Sequence, residues 1–387
     1  MAFYLVSFLL LFFYSGIILF YRQSWLKIKD FDSASNIKAL SPVFISVIIA
    51  ARNEEKNIGS CLNSLINQAY PEKLFEIIVV DDHSSDATAS IANAFKNDNI
   101  KIISLENFAE AINLNSYKKS AIEMAVGIAK GNLIVTTDAD CIVTDQWLKT
   151  LATFYSEYDP VFMAAPVVYA NPLPTDSKFI RLLKIFQSLD FLSLQGITGA
   201  SVNKNFHNMC NGANLAYTKK TFVEVSGFEG IDNIASGDDM LLMHKIQKVY
   251  PDKIRFIKSI NVIVETQPAN SLSEFMNQRI RWASKADRYM DPKITSVLLL
   301  VYFFNLWIFL AGICSFVSLN YFYLFILLLF VKTIVELFFL FPVARFFGKQ
   351  KLLWWFFPAQ PFHIIYTIVA GWLGKFGSYT WKQRKVK

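Results

Sequence analysis

The sequence predicts an α/β domain held between membrane segments, and three observations carry that reading. Of 387 residues, 53% are hydrophobic and 36 are Phe, a richer apolar content than an ordinary soluble chain shows. The long charge-free runs lie at the two ends of the chain. Between them, apolar runs of strand type alternate with helically spaced ones, the pattern of a parallel sheet covered on both faces.

The first segment, residues 1–22, has no charged side chain from Met1 to Tyr21, about the length that crosses a hydrocarbon core of ~30 Å. Arg22, Lys27 and Lys29 follow the run, whereas a signal peptide would carry its basic residues in front. An uncleaved anchor with an external N-terminus is expected, which leaves the next segment cytoplasmic by the positive-inside rule. Residues 294–319 are again free of charge, 321–342 hold only Lys332 and Glu336, and 352–373 are uncharged. Lys332 and Glu336 are four apart and are expected to pair on one helix face. Three full C-terminal spans would leave the basic tail "WKQRKVK" outside. Pro358, Gln360, Pro361 and His363 suit a broken, re-entrant or interfacial last segment better than a plain span, so residues 352–373 read as a transmembrane or re-entrant segment with the second favoured.

The net charge of +7 does not indicate a nucleic-acid partner. Eight basic residues and no acid lie beyond Val343, and the remainder carries 30 basic against 31 acidic residues. The excess sits beside membrane segments, where it sets topology and meets anionic lipid. The four Cys and four His are scattered, with neither a zinc-type spacing nor a disulfide framework.

The middle of the chain, residues 40–270, reads as follows. "VFISVIIAARNEE" is a β-branched strand ending at Arg52, followed by helical spacing at Ile58, Leu62, Leu65 and Ile66. "FEIIVVDDHSSDAT" is a second strand ending in acids and hydroxyls that can cap the helix after it. "IKIISL" is a third strand, "SYKKSAIEMAVGIAKG" a helix, and "NLIVTTDADC" a fourth strand. Ligands of such sheets bind beyond the C-terminal strand ends, and those ends carry Arg52, Asp81, Asp82, Asp138 and Asp140.

Each acidic motif allows two readings. Asp138 and Asp140 lie two apart, so in extended geometry they point to the same side. They could hold a hard divalent cation or cap a turn. Asp81 and Asp82 could contact a nucleoside or cap a helix. Asp238 and Asp239 precede an apolar helix, as a cap or as a general base. No Gly-rich phosphate loop of Rossmann or Walker type occurs, which argues against a dinucleotide enzyme or an ATPase.

Residues 271–290 form an amphipathic stretch. At about 100° per residue, Gln278, Arg281, Trp282 and Lys285 share one face, while Leu272, Met276, Ile280 and Ala283 share the other. An interfacial helix explains the pattern. So does a ligand surface in which Arg281 meets phosphate and Trp282 a ring.

Taken in order, "ISVIIAARNEE", "VVDDHSSD", "KKSAIEMAVGIAKGNLIVTTDADC", "NGANLAY", "SGDDMLL" and "QRIRW" resemble the membrane-bound family 2 glycosyltransferases, which include polysaccharide synthases and ceramide glucosyltransferases. The resemblance covers about residues 43–285. It implies a GT-A nucleotide-sugar-binding fold, a nucleotide-sugar donor with a UDP-sugar as the expectation, a divalent cation (Mg²⁺ or Mn²⁺) and inversion at the anomeric carbon. It implies donor contacts for Asp81, Asp82, Lys118, Asp138 and Gln278, with Lys119 as an alternative to Lys118. It assigns Asp140 and Asp138 to the metal, Asp239 to general-base work, Arg281 to the departing diphosphate, and Trp282 with Asp238 to the acceptor side. Asp238 stands where the family usually has Glu. The implied acceptor is a membrane-associated glycan or lipid, and the implied location is a bacterial inner membrane with the catalytic domain cytoplasmic. The rival class is a membrane transporter or scaffold bearing an inactive sugar-nucleotide domain.

Overall fold

The computed structural model describes every residue except 34–41, 106–116, 233, 235–236, 290, 382–383 and 387. The expected domain start at residue 40, Ser116 before the "YKKS" helix, Ser236 of "SGDD" and part of the "WKQRKVK" tail lie outside the described residues. The chain opens with α1 (Ala2–Lys27), then β1 (Ile45–Ala51), α2 (Ile58–Ile66), β2 (Phe75–Asp81), α3 (Thr88–Asn93) and β3 (Ile100–Ser104). Next come α4 (Tyr117–Ile128), β4 (Leu133–Asp138), α5 (Trp147–Tyr158), β5 (Phe162–Ala164), β6 (Val167–Tyr169) and the long α6 (Lys178–Asn203). The third stretch holds β7 (Leu215–Thr218), α7 (Lys219–Glu224), α8 (Met240–Val249), β8 (Ile254–Phe256), β9 (Val264–Thr266) and α9 (Leu272–Ala283). Three long helices, α10 (Pro292–Cys314), α11 (Leu319–Phe346) and α12 (Phe356–Phe376), precede a short hairpin of β10 (Tyr379–Trp381) and β11 (Arg384–Val386).

These elements form two compact units. The sheet unit contains residues 29–168 and 208–267. Its seven strands run in the order β3-β2-β1-β4-β7-β5-β8. The four strands legible in the sequence are mutually parallel, whereas β7 runs antiparallel to both β4 and β5. The sheet is therefore mixed rather than wholly parallel. Strands β1, β2 and β4 are apolar on both faces, and Ile45, Val47, Ile78, Val80, Leu133 and Val135 are all buried, as central strands of a covered sheet must be. The chain order leaves β1 toward β2 and β3 on one side and returns to β4 on the other. That makes the C-terminal edge between β1 and β4 a topological switch point, the place where open α/β sheets bind ligands. The register puts Asp138 opposite Ala50 and Asp81 opposite Ala51 on that edge.

The helical unit contains residues 1–28, 169–207 and 268–387. Four of its segments, Ala2–Lys27, Pro292–Cys314, Leu319–Phe346 and Gln350–Phe376, are long and apolar enough to cross a membrane by length and composition. The last begins with a 3-10 turn at Gln350–Trp355 and carries Pro361 inside α12. Helix α1 packs along α6, α10 and α11, and α9 packs on α12. The expected pair forms: Lys332 Nζ lies 2.8 Å from Glu336 Oε1, Gln360 joins both side chains, and the Tyr14 hydroxyl donates to Glu336. Each group buried among apolar helices thereby finds a partner. Helix α9 is seated by Phe275, which is buried with Leu183, Phe186, Tyr366 and Ala370. At Gly374 on α12 a Cβ would stand 2.6 Å from Ala283 Cβ, so the absence of a side chain there permits the close approach of the two helices. Arg279, not Leu272, belongs to the buried face of α9: Arg279 is 4% exposed and Leu272 40%. The expected apolar face is thus rotated, because the Phe275 and Arg279 positions, four apart, are the ones that meet α6 and α12.

Candidate active site

The sheet-unit acids are assembled by two strand ends and one helix N-terminus. Strand β4 stops at Asp138, and Cys141 N–H donates to the Asp138 carbonyl (3.1 Å) to close a turn. Asp140 therefore sits in a turn rather than in an extended strand, and the turn, not strand alternation, brings it beside Asp138. Ligand atoms of Asp138, Asp140 and Cys141 all lie within 4.8 Å of one another. Thr266 Oγ1 donates to Asp140 Oδ2 (3.2 Å), steadying that carboxylate.

This pair fits a hard divalent cation, which takes oxygen ligands and draws like charges together. Cys141 does not fit. Burial first, and then the charges of Asp140 and Asp138, push its thiol well above the ordinary range, and sulfur is a soft ligand that a hard cation passes over for carboxylate oxygen.

Lys118, from α4, reaches into the same edge. Its Nζ lies 2.8 Å from Asp138 Oδ1 and 3.0 Å from Asp238 Oδ2. Burial opposes its charge, but Asp138 and Asp238 outweigh that penalty and raise its pKa, so the ammonium is retained. Lys119 turns the other way and donates to the carbonyls of Ile231 (2.5 Å) and Ile234 (2.7 Å). Of the two lysines left open by the sequence, Lys118 is the one among the acids. Asp238 is held by that lysine.

Asp239 is the N-cap of α8. Its Oδ1 accepts from Met240 N–H (2.7 Å) and its Oδ2 from Gly212 N–H (3.1 Å). Two acceptor sites remain on a carboxylate so engaged, and the side chain is part-exposed. The cap and the general base are therefore compatible roles for one residue. Gly212 belongs to "NGANLAY", and a Cβ there would stand at ordinary contact distance from Lys118 Nζ (3.4 Å) and Asp238 Oδ2 (3.5 Å), which places this motif against the same charges. Asn214 of the same motif serves the fold: it accepts from Trp147 Nε1 and donates to the carbonyls of Pro166 and Val262, wholly buried.

At the end of β2, Asp82 is 3% exposed and its Oδ1 lies 3.0 Å from His83 Nδ1 and 3.7 Å from Arg52 Nη1. Arg52 also donates to the Asp82 and His83 carbonyls (2.7 and 3.2 Å), locking the loops after β1 and β2 together. Asp81 Oδ2 accepts from Ser84 N–H (3.4 Å), while its Oδ1 is buried with no hydrogen-bond partner among the described residues. A buried acceptor left open at a ligand-binding edge fits a donor from a bound molecule.

Gln278, Arg281 and Trp282 all lie on α9 in the helical unit. There the structure reveals groups that the sequence does not single out. Arg279 Nη1 donates to Gln278 Oε1 (2.8 Å), its guanidinium lies 4.3 Å from the Trp282 ring, and Nη2 is 2.6 Å from Asp190 Oδ2. Burial opposes the Arg279 charge, and Asp190 foremost restores it. Helical spacing could have found Arg279, four after Phe275 and three before Trp282; nothing in the sequence around Asp190 marks it.

Comparison with known proteins accords with this geometry. Glycosyltransferase AglE of Haloferax volcanii is 36% identical over 108 residues, 27% of this chain and 33% of that protein. Poly-beta-1,6-N-acetyl-D-glucosamine synthase of Staphylococcus epidermidis is 27% identical over 244 residues, 62% of this chain and 53% of that one. The chain thus spans less than two thirds of these curated relatives. Among solved structures, a mannosyltransferase from Pyrobaculum calidifontis, in complex with GDP-Man and Mn²⁺, superposes with a TM-score of 0.55 over 96% of both chains at 18% identity, a likeness of fold. The sequence profile of glycosyl transferase family 2 matches residues 46–209. Because the profile of glycosyl transferase family group 2 matches residues 133–373, more than half of the chain, this protein belongs to the family 2 glycosyltransferases.

Proposed function

We propose that the chain is an inverting, metal-dependent glycosyltransferase that moves a sugar from a nucleotide-sugar donor to a membrane-associated glycan or lipid acceptor, in cell-surface polysaccharide or glycolipid synthesis. The observation that carries the proposal is the gathering of Asp138, Asp140, Asp238, Asp239 and Lys118 on one strand-end edge, where a scaffold protein has no need of accumulated carboxylates. Relatives named for glucosyl, N-acetylglucosaminyl and diacylglycerol products support both acceptor classes.

Asp138 and Asp140 would hold a divalent cation, which supplies positive charge for a departing diphosphate. Asp81 and Asp82 take the nucleoside, and Lys118 keeps Asp138 and Asp238 in place. Asp239 accepts the proton of the acceptor hydroxyl as that oxygen attacks the anomeric carbon from the face opposite the leaving group. Attack and departure on opposite faces invert the centre without a covalent enzyme intermediate. In this reading Gln278 and Arg281 serve the diphosphate and Trp282 the acceptor. The four apolar helices support membrane association, and the proposed setting is a bacterial inner membrane with the sheet unit cytoplasmic.

The test is a panel of nucleotide sugars offered to membranes enriched in the protein, with Mg²⁺ or Mn²⁺, read as nucleoside diphosphate release. Turnover of one donor, absent from membranes bearing Asp239→Asn, is expected. A parent that turns over no donor, or an Asp239→Asn variant as active as the parent, overturns the assignment.

A further inference from the structure

Beneath the Q-x-x-R-W face lies a second ionic centre. Asp190 on α6 and Arg279 on α9 are 8% and 4% exposed, and their charged atoms are 2.6 Å apart. The Tyr366 hydroxyl donates to Asp190 Oδ1, and His363 Nε2 stands 3.9 Å from the same oxygen. A buried pair of this kind adds little net stability, because desolvation offsets the attraction. Anchoring of α9 is already provided by Phe275 and its apolar neighbours. The pair therefore needs another explanation, and the contacts of Arg279 supply one.

Its planar guanidinium lies over two rings, 4.3 Å from the Trp282 centroid and 4.8 Å from the Phe275 centroid. In the same pose Nη1 donates to Gln278 Oε1 at 2.8 Å. The Tyr169 hydroxyl donates to that same oxygen at 3.2 Å. With two donors on its carbonyl, the Gln278 amide can turn only its NH₂ toward a ligand. One buried cation thus fixes two residues of the motif at once, the ring of Trp282 and the amide of Gln278. Lysine could not do this, having neither the plane nor the fork.

We propose that Asp190 and Arg279 are positioning residues for sugar transfer: Asp190 holds Arg279, and Arg279 sets Trp282 and Gln278 so that the Gln278 NH₂ is presented as a hydrogen-bond donor to an anionic oxygen. The proposal rests on the glycosyltransferase reading above.

The test uses the full-length protein in membranes or detergent. Arg279→Lys keeps a cation for Asp190 and so should fold, with its melting temperature near the parent's. Its kcat should fall by about tenfold or more, with donor KM within about threefold. Because Arg279 acts through both Trp282 and Gln278, the same substitution in a Gln278→Ala/Trp282→Phe background should cost less than about threefold, since coupled residues are non-additive. A folded Arg279→Lys enzyme with parental kcat, or a full tenfold loss that persists in the Gln278→Ala/Trp282→Phe background, overturns the proposal. A second readout is independent of turnover: with 5-fluorotryptophan incorporated, the Trp282 ¹⁹F resonance, identified by its absence in Trp282→Phe, should shift or broaden in Arg279→Lys. An unchanged resonance overturns the proposal, whereas a parent that turns over no donor overturns the glycosyltransferase reading and leaves this measurement to decide the positioning role.

Discussion

The acidic edge of the sheet unit and the ion pair beneath α9 are both clusters of charge, yet they are built on opposite rules. On the edge, carboxylates accumulate around one bridging lysine, and the side chains of Asp138 and Asp238 remain 36% and 15% exposed. Under α9 one carboxylate meets one guanidinium, and the side chains of Asp190 and Arg279 are 6% and 4% exposed. Accumulated, accessible acids make a place for an external cation. Paired, buried charges neutralise one another, and on the proposal above they serve to set geometry. On the two proposals above, chemistry and orientation fall to different kinds of site, and substitutions in each cluster should fail in different ways.

The largest effect is expected at Asp239. Replacing it with Asn keeps one side-chain acceptor for the α8 cap but loses the second of the two backbone N–H bonds, those from Met240 and Gly212, so stability should fall by only about 1–3 kcal/mol. Removal of a general base should lower turnover by about 10²- to 10⁴-fold. Initial rates beside thermal melting measure both quantities, and a large fall in stability would show that capping is the residue's principal role.

Asp190→Ala should behave in the opposite sense. Arg279 is left buried without its counter-charge, which costs about 3–5 kcal/mol of stability, so loss of folded protein should dominate. Denaturant titration of the parent and variant in the same detergent checks this. A loss below about 1 kcal/mol would mean that Arg279 finds another partner, and the contrast between the two clusters would fail.

Cation dependence gives a smaller, graded effect. Turnover should vanish with EDTA and return with Mg²⁺ or Mn²⁺. Asp140→Asn should raise the cation concentration for half-maximal rate by about tenfold or more, the scale on which altered metal surroundings act. Rates that ignore EDTA would remove the cation from the proposed mechanism.

The two regions also differ in how far the sequence disclosed them. The edge acids were legible because each follows a β-branched run or precedes a helix within a few residues, as in "VVDD", "IVTTDAD" and "GDDMLL". The choice between Lys118 and Lys119 was not, since neighbours on a helix point about 100° apart and only packing selects one. Nor was the turn at Asp140, which a hydrogen bond from Cys141 closes. Strands β5, β7 and β8 have three or four residues each, too few for periodicity to show. The Asp190–Arg279 pair joins two distant helices, and pairing across such a separation is a product of tertiary packing.

The smallest effect concerns the sheet unit alone, where β2 carries acids of both kinds. Among the described residues, Asp81 at its C-terminal end keeps a buried oxygen open, whereas Glu76 near its start is matched. Lys101 Nζ (2.8 Å), Ser46 Oγ (2.7 Å) and Lys130 N–H (2.6 Å) all donate to Glu76. Burial works against the Glu76 charge, but Lys101, the Lys130 amide and Ser46 outweigh it and lower the pKa. The sign follows: with the folded value below the unfolded one of about 4.3, the stabilisation is complete above that unfolded value and is lost as pH falls through the folded value. Glu76→Gln should therefore cost about 1–2 kcal/mol near neutral pH, and the parent and variant curves should converge as pH drops below about 4. Parallel curves down to that pH would show that the carboxylate contributes through packing and not through its charge.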